Sequence, residues 1–518
     1  MVESRTASST RGISFLYTLD MARIAPYLVF VVSFAVYLVT LAPTVYRLDS
    51  AELSAAAYNL GVPHATGYPL YLLLGKAFTY LPIADVGYRL NLMSAVFAAG
   101  GVTVLYQLSF LVTNRFTTSF AVAYSLAFSY YFWASAVVAE VYTLHVFLTG
   151  LTVYLLVKWD KGKDNRLLFA ALFVWGLSFG NHMSTVLMGP AVAFFLVRGL
   201  QQNRISAATV LLAVPVFILP LALYFYLPWR YSADAIPYVL GHYDSFGELI
   251  RVNHTTIGGM WQTITAQQFE SLMFAYGPTG YIEQMGDAAY WLFGNFLGLG
   301  ILFGLLGIVA NFKNDRPRLV FIGLVFVSNI IFFSSYGALD KQVMFLPVYF
   351  CWAIWMGEGF EYTVVLIDRY RAGNRDTRRW RLANQKIWAA HRGKLVFALP
   401  LAALMVNFYF IDVRSDTSVR DRSEAMLESF EPGALVLARW PDAAPMSYLQ
   451  IVDDQRPDVQ VINRFLISPQ DEALLIKRSL KTRAVYVYGP KPILDFAHRT
   501  VAAERGVDRG RRFYLGPG

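Results

Sequence analysis

The stretch APYLVFVVSFAVYLVTLAP runs from residue 25 to residue 43 without a charged side chain. About 20 apolar residues in a helix are enough to cross the hydrocarbon core of a bilayer. Similar runs recur along the 518 residues, of which 56% are hydrophobic and 15% charged, whereas soluble domains carry about 25% charged residues. A soluble protein exposing so many apolar runs would aggregate. The composition therefore predicts an α-helical polytopic membrane protein.

The apolar runs predict about 11 transmembrane helices. They lie near residues 25–43, 89–112, 117–137, 138–157, 167–181, 184–198, 206–228, 288–311, 318–336, 342–366 and 395–413. A further apolar stretch, 67–82, is short and holds two prolines and a lysine. Such a segment is typical of a re-entrant or interfacial helix, which does not fully cross the membrane.

Lysine and arginine are concentrated in alternate loops, most densely in 369–394. The positive-inside rule then predicts a plasma- or inner-membrane protein whose N-terminus is cytoplasmic. The domain boundaries predicted on this basis are 1–24 for the cytoplasmic N-terminus, 25–413 for the membrane domain with outer loops 44–88 and 229–287, and 414–518 for an extracytoplasmic domain. Because the basic residues follow the topology, the net charge of +9 does not indicate nucleic-acid binding.

The tail after residue 413 is polar enough to fold in water. Residues 434–439, 459–463 and 484–489 have the pattern of strands, and 446–453 has that of a helix, so we predict a small α/β domain. The single cysteine, Cys351, excludes an intrachain disulfide and argues against a cysteine-based metal site. No ligand cluster in the sequence demands a divalent metal, although none is excluded, and we expect no cofactor.

The first outer loop contains TVYRLDSAELSAAAYNLGVPHATGYPLY, residues 44–71. Asp49 and Glu52 are three residues apart and would share one face of a helix. The same spacing fits a helix start in which Asp49 caps and Glu52 occupies the third position. Acidic groups at the mouth of a helical bundle are costly unless they are used or paired. Both roles stay open, because a capping carboxylate can also act as a base.

Several motifs of this chain resemble those of a family of bacterial and eukaryotic membrane proteins related to protein O-mannosyltransferases, in the GT-C glycosyltransferase superfamily. The family pattern is Leu-Ala-Pro-Thr, Gly-Asp-Ser-Gly-Glu and His-Pro-Pro-Gly-Tyr-Pro-Leu. The matching segments here are 41–44, 48–52 and 64–70, supported by 89–95, 139–144, 180–182 and 226–230. Two glycines of the acidic motif and the proline pair of the third motif are replaced.

The resemblance implies an inverting glycosyltransferase that moves a sugar, mannose being one candidate, from a polyprenyl phosphate to a hydroxyl. The acceptor would be serine or threonine of an exported protein, or a glycan, at the extracytoplasmic face of the bilayer. Asp49 is then the candidate base, with Glu52 second. Cations on the same predicted side could bind the leaving phosphate: Arg47, His64, Arg89, Arg230 and Lys341. Polar candidates for binding the donor or the acceptor are Tyr68, Glu140, Tyr142, Asn181 and His182.

Two other classes of protein fit the composition. A secondary transporter or flippase would carry ionisable residues near the bilayer midplane and helices broken in a repeat. In this sequence the ionisable residues are concentrated at span ends on one predicted side, which favours a surface active site. A non-catalytic membrane scaffold would retain lipid-phosphate binding without turnover.

Overall fold

A computed structural model describes residues 21, 23–338, 340–373, 396–489 and 512–515. Within them six helices are long and apolar enough to cross a bilayer, one further pair is sharply bent, and four apolar helices are shorter. The polytopic helical fold is therefore confirmed, whereas the number of crossings stays a prediction. The predicted N-terminal segment 1–24 and the basic loop 369–394 lie mostly outside the described residues.

The helices are numbered in chain order. They are α1 (Arg23–Val39), α2 (Asp49–Asn59), α3 (Pro69–Thr79), α4 (Val86–Thr113), α5 (Phe116–Ala127), α6 (Tyr130–Ala136), α7 (Val141–Gly162), α8 (Asn165–Phe179), α9 (Gly189–Gln201), α10 (Ala207–Ile218), α11 (Tyr226–Ser232), α12 (Ile257–Ile264), α13 (Pro278–Asn295), α14 (Leu299–Asn314), α15 (Arg316–Ser335), α16 (Leu346–Gly373), α17 (Ala398–Ile411), α18 (Ser418–Glu428), α19 (Trp440–Val452) and α20 (Pro469–Ser479).

The strands form two sheets. They are β1 (Gly241–Tyr243), β2 (Leu249–Arg251), β3 (Leu435–Ala438), β4 (Gln460–Asn463), β5 (Val485–Tyr488) and β6 (Arg512–Leu515). β1 and β2 make an antiparallel hairpin.

Two of the predicted spans are broken. The predicted span 288–311 is wrong as a single helix, since α13 and α14 meet at 104°; Gly298, with φ of 71°, turns the chain there. The predicted span 117–137 is split into α5 and α6. The carbonyls freed at that break, those of Ala127 and Phe128, accept hydrogen bonds from the Tyr37 hydroxyl at 3.0 Å and from Asn407 Nδ2 at 2.7 Å. Buried carbonyls need such partners because no water reaches them.

Close helix packing fixes the later part of the bundle. α14 lies against α16, and a Cβ added at Gly307 would stand 1.8 Å from the Trp355 carbonyl oxygen. Only a residue without a side chain permits that approach.

Two short helices, α2 and α3, follow the first span. Each has 11 residues, about 16 Å of helix at 1.5 Å per residue, which is too short to cross a bilayer. The length of α3 agrees with a re-entrant or interfacial helix over 67–82, which stays a prediction. Eight residues of α2 are buried, so this helix lies inside the assembly of helices and presents its first turn to the interior.

The C-terminal part forms a four-stranded sheet with strand order β4-β3-β5-β6. β3 pairs in parallel with β4 and β5, and β6 pairs antiparallel with β5. Every residue of β3 is buried. Helix α19 joins β3 to β4 and packs on α2, while the Tyr448 hydroxyl accepts the backbone N–H of Gly87 at 3.0 Å. The sheet is thus anchored on the predicted outer loop that carries the acidic residues.

Candidate active site

Asp49 and Glu52 lie in the first turn of α2. The helix begins at Asp49 itself, the preceding Leu48 has φ of 58° and ψ of −132°, and no side chain caps this end. The capping interpretation of the Asp49–Glu52 spacing is therefore wrong. Both carboxylates still gain from their position, because the amino end of a helix favours negative charge.

Glu52 and His64 form a buried pair. Glu52 Oε1 accepts the backbone N–H of His64 at 2.7 Å and lies 3.1 Å from Nδ1. The Tyr68 hydroxyl lies 2.8 Å from His64 Nε2 and donates its own hydrogen to the Ala65 carbonyl at 3.1 Å. Since that hydrogen is already used, the hydroxyl must accept from Nε2–H. Both ring nitrogens of His64 then donate, which is the pattern of an imidazolium.

Electrostatics agree with this assignment. Burial lowers the pKa of His64, but the carboxylates of Glu52 and Asp49 outweigh it and raise that pKa to about 9. The side chains of His64 and Glu52 are 8% and 5% exposed, so solvent screens their attraction little. His64 is therefore a fixed cation at neutral pH.

Asp49 is the exposed member of the group. Its Oδ2 lies 3.8 Å from His64 Nε2, and 27% of its side chain is accessible. Burial raises the pKa of Asp49, His64 lowers it, and Glu52 and Asp340 raise it, giving a pKa of about 6. A carboxylate with this pKa is ionised at pH 7 yet binds a proton more readily than an ordinary aspartate, as a general base should.

Asp49 opens onto a cavity of about 700 Å³. One part of its wall is polar and includes Asp49, His64 and Tyr68. The rest is largely apolar, with contributions from Met183, Leu187, Phe332, Phe333 and Met344. A cavity with a charged end and a long apolar wall suits an amphiphile whose polar head reaches the charged end.

Of the other polar candidates, Tyr142 and His182 line this cavity. The ring of His182 stacks on that of Tyr68 at 6.2 Å and lies 5.5 Å from that of Tyr142. Asn181 is fully buried instead, and its Nδ2 donates to the Val141 carbonyl at 3.1 Å. It braces the turn that presents His182.

Glu140 precedes α7 and lies behind the cavity wall. Its backbone N–H donates to Ser94 Oγ at 3.1 Å, and its buried Oε2 has no hydrogen-bond partner among the described residues. Burial raises the pKa of Glu140 well above its ordinary value, and Asp49 and Asp340 raise it further.

The structure does not bring the predicted arginines and lysine to the cavity wall. Arg89 donates to the carbonyls of residues 79, 83 and 84. Arg230 donates to the Leu60 and Asn59 carbonyls at the end of α2. Lys341 donates to Gln284 and to the Tyr336 carbonyl, and Arg47 is exposed beside Tyr46. The first three hold loops together, and only His64 of the five predicted cations lines the cavity.

The C-terminal part supplies residues that the sequence did not reveal. Trp440 and Phe465 line the cavity, and the Trp440 ring meets that of His64 edge to face at 5.4 Å. Phe465 lies 5.5 Å from Trp440 and 5.9 Å from Phe269. No local motif marks these aromatic residues, because they reach the cavity through tertiary packing. Trp440 begins α19, which packs on α2, and Phe465 packs against Trp440.

Asp49, Glu52 and His64 also have the side-chain types of a metal site. One ligand atom from each lies within 4.8 Å of the others. A metal would need a bare ring nitrogen on His64, whereas both nitrogens here face acceptors. The geometry therefore fits a proton-bearing cation better than a metal ligand.

Residues 49–206 match the family model described as Protein O-mannosyl-transferase TMEM260 N-terminal domain. The matched segment contains both acids, His64, Tyr68 and His182. This segment is therefore similar to that family's N-terminal domain. The resemblance expected from the motifs is thereby confirmed. The matched segment supplies the polar end of the cavity, while residues from 265–273, 332–344 and 440–465 supply most of the remaining wall.

Curated relatives carry the same name. Protein O-mannosyl-transferase TMEM260 of Mus musculus is 30% identical over 200 residues, which is 38% of this chain and 28% of the mouse protein. Protein O-mannosyl-transferase tmem260 of Dictyostelium discoideum is 20% identical over 483 residues, which is 85% of this chain and 57% of that protein. The chain thus spans little more than half the length of the second relative and less of the first.

Solved structures share the fold. ArnT from Cupriavidus metallidurans bound to undecaprenyl phosphate superposes with a TM-score of 0.56 at 13% identity, covering 95% of this chain and 97% of ArnT. Its apo state gives 0.59 at 12% identity over 95% of this chain and 98% of ArnT. A mutant of the mycobacterial arabinofuranosyltransferase AftD gives 0.50 at 12% identity over 90% of this chain and 36% of AftD. The bundle therefore shares its fold with ArnT and with part of AftD.

Proposed function

We propose that this chain is an inverting glycosyltransferase that moves a sugar from a polyprenyl phosphate to a hydroxyl at the extracytoplasmic face. The observation that carries the proposal is the cavity itself. An ionised Asp49, paired with a buried cation, stands at the polar end of a space whose remaining wall is apolar. The TMEM260 relatives and the ArnT-like fold support the same activity.

Asp49 is the base in this proposal. Its carboxylate takes the proton of the acceptor hydroxyl as the acceptor oxygen bonds to the anomeric carbon. The bond from that carbon to the phosphate oxygen breaks in the same step, and polyprenyl phosphate leaves. Attack opposite the leaving group inverts the anomeric centre. His64 keeps Asp49 ionised in its low-dielectric surroundings, and Glu52 keeps His64 charged.

Mannose is the sugar that the relatives favour, and serine or threonine of an exported protein is the acceptor. The apolar wall takes the first isoprene units of the donor. The proposed topology keeps 1–24 on the cytoplasmic side and places 414–518 as an extracytoplasmic α/β domain. In that arrangement Trp440 and Phe465 cover the reacting groups from the aqueous side and exclude water.

The test uses purified protein in proteoliposomes. Labelled polyprenyl-phosphate mannose and nucleotide-linked mannose are each offered with a peptide rich in serine and threonine, and the anomeric configuration of the product is read by NMR. We expect transfer from the lipid donor alone, with inversion. Transfer from the nucleotide sugar, or retained configuration, contradicts the proposal. Binding of lipid-linked sugars without transfer to any peptide or glycan acceptor would identify a scaffold.

A further inference from the structure

A chain of three hydrogen-bonding side chains ends at the cavity. His182 lies at the turn before a 3₁₀ helix, Met183–Met188, and its Nδ1 accepts the backbone N–H of Ser184 at 3.3 Å. A backbone N–H can only donate, so Nδ1 carries no proton when the ring is neutral. The proton of neutral His182 is therefore on Nε2.

Ser184 and His145 support the same tautomer. Ser184 Oγ lies 2.7 Å from His182 Nδ1 and 3.2 Å from His145 Nε2. Because Nδ1 is bare, the hydrogen in the shorter contact belongs to the serine hydroxyl. That hydroxyl then accepts from His145 Nε2–H. His145 Nδ1 is buried without a partner among the described residues, as expected of the bare nitrogen of a neutral ring.

The free end of this chain, His182 Nε2–H, belongs to a residue that lines the cavity. No contact within the described part of the structure engages this atom. The rings of Tyr68 and Tyr142 lie against the imidazole at 6.2 and 5.5 Å and limit its rotation. Burial, and then the nearby His145 and His64, lower the pKa of His182 well below its ordinary value. The ring is thus a neutral, oriented donor.

The acceptor that best fits this donor is an anion. Hydrogen bonds from N–H to a charged oxygen are about twice as strong as those between neutral groups. The arginines and the lysine that could have held a phosphate are engaged by loop carbonyls or exposed. An anionic head entering the cavity therefore meets His64 as its cation and His182 as its neutral donor.

We propose that His182 Nε2–H donates to a phosphate oxygen of the polyprenyl-phosphate donor and of the leaving polyprenyl phosphate. Ser184 and His145 are positioning residues that hold the tautomer. This inference rests on the proposed function, because it takes the phosphate of that donor as the ligand. It adds a phosphate-binding residue on the α8–α9 turn to the acidic group of the first outer loop.

The test measures binding, without turnover, of undecaprenyl phosphate and of undecaprenol to the full chain in nanodiscs. The variants are His182→Leu, His182→Gln and, as a matched control, His254→Leu. His254 is another buried histidine, bonded to Tyr238 and Thr263, and it does not line the cavity. Size-exclusion chromatography checks that each variant folds.

We expect His182→Leu to weaken binding of the phosphate about tenfold or more and to leave binding of the alcohol unchanged. His182→Gln should restore part of the affinity, since its amide presents an N–H at about the position of Nε2. His254→Leu should bind both lipids as the wild type does.

Two outcomes overturn the inference. One is equal phosphate affinity of the wild type and His182→Leu, and the other is an equal loss for phosphate and alcohol, which would show a merely structural role. If the wild type does not distinguish the phosphate from the alcohol, the proposed function fails as well. This inference fails alone, and the proposed function survives, if the wild type prefers the phosphate to the alcohol and His182→Leu binds the phosphate with the same affinity.

Discussion

The Glu52–His64 pair should make the stability of the protein depend on pH in a specific window. The pKa of His64 is raised from 6.5 to about 9 by Glu52, Asp49 and Asp340, with Glu52 the largest of the three. One pKa unit corresponds to about 1.4 kcal/mol, so His64 and these carboxylates together contribute on the order of 3 kcal/mol. A raised histidine pKa gives stability that is fully present below pH 6.5 and is lost as the pH rises through about 9. Asp49, whose pKa is raised to about 6, titrates mostly below this window and overlaps only its lower edge.

Glu52→Gln is the perturbation that isolates this contribution. The amide keeps the shape of the side chain, and its oxygen can still accept the backbone N–H of His64, but the negative charge is gone. The pKa of His64 should fall towards its ordinary value. We therefore expect the wild type to unfold several degrees above Glu52→Gln at pH 6.5, and this difference to shrink towards pH 10.

Thermal unfolding of the detergent-solubilised protein, followed by intrinsic fluorescence at half-unit pH steps, measures this difference. Groups far from the site titrate equally in both proteins and cancel. A difference in unfolding temperature that stays constant from pH 6.5 to pH 10 would refute the charged pair, and with it the imidazolium that we assign to His64.

Three further predictions follow from the site. The kcat/KM for transfer should rise with pH around a midpoint near 6, because Asp49 must be ionised to act as a base and burial raises its pKa to about 6; a pH–rate profile with a midpoint near 4 would contradict this. Trp440→Ala should lower kcat about tenfold, since it removes the ring that packs on His64 and admits water, and steady-state assays would show an unchanged kcat if the sheet is a passive neighbour. Leu48→Gly should raise the unfolding temperature through a gain of about 1 kcal/mol, because Leu48 holds φ of 58°, a region that glycine enters without strain; a lowered unfolding temperature would show that the lost leucine contacts matter more.

The sequence predicted the parts of the site that depend on local pattern. One short segment, residues 49–68, contains both acids of α2, His64 and Tyr68. It follows the first predicted span, so all four residues are predicted to lie on one side of the membrane. Hydropathy also located the helices, apart from the breaks at Phe128 and Gly298. Breaks of this kind depend on distant partners, such as Asn407 for the carbonyl of Phe128, and no local window contains them.

Contacts between residues distant in sequence explain the remaining differences between the predicted site and the structure. Arg89 and Arg230 are predicted to bind a phosphate because both lie on the predicted extracytoplasmic side of the membrane. The side of the membrane does not determine whether an arginine reaches the cavity or donates to nearby loop carbonyls, as both do here. The Asp49–Glu52 spacing fits a cap as well as two acids on one helix face, and only the start of the helix at Asp49 itself, with Leu48 before it, decides between them. Trp440 reaches the site through the packing of α19 on α2, which no sequence motif records.

The measurement that tests the central proposal most directly is single-turnover transfer from polyprenyl-phosphate mannose by Asp49→Asn. Asparagine fills the same space but cannot take the acceptor proton, so we expect the rate to fall on the order of 10²- to 10⁴-fold, with binding of undecaprenyl phosphate retained. Asp421→Asn, an exposed aspartate of α18, is the matched control and should transfer at the wild-type rate. Equal rates for wild type and Asp49→Asn would contradict the assignment of Asp49 as the base.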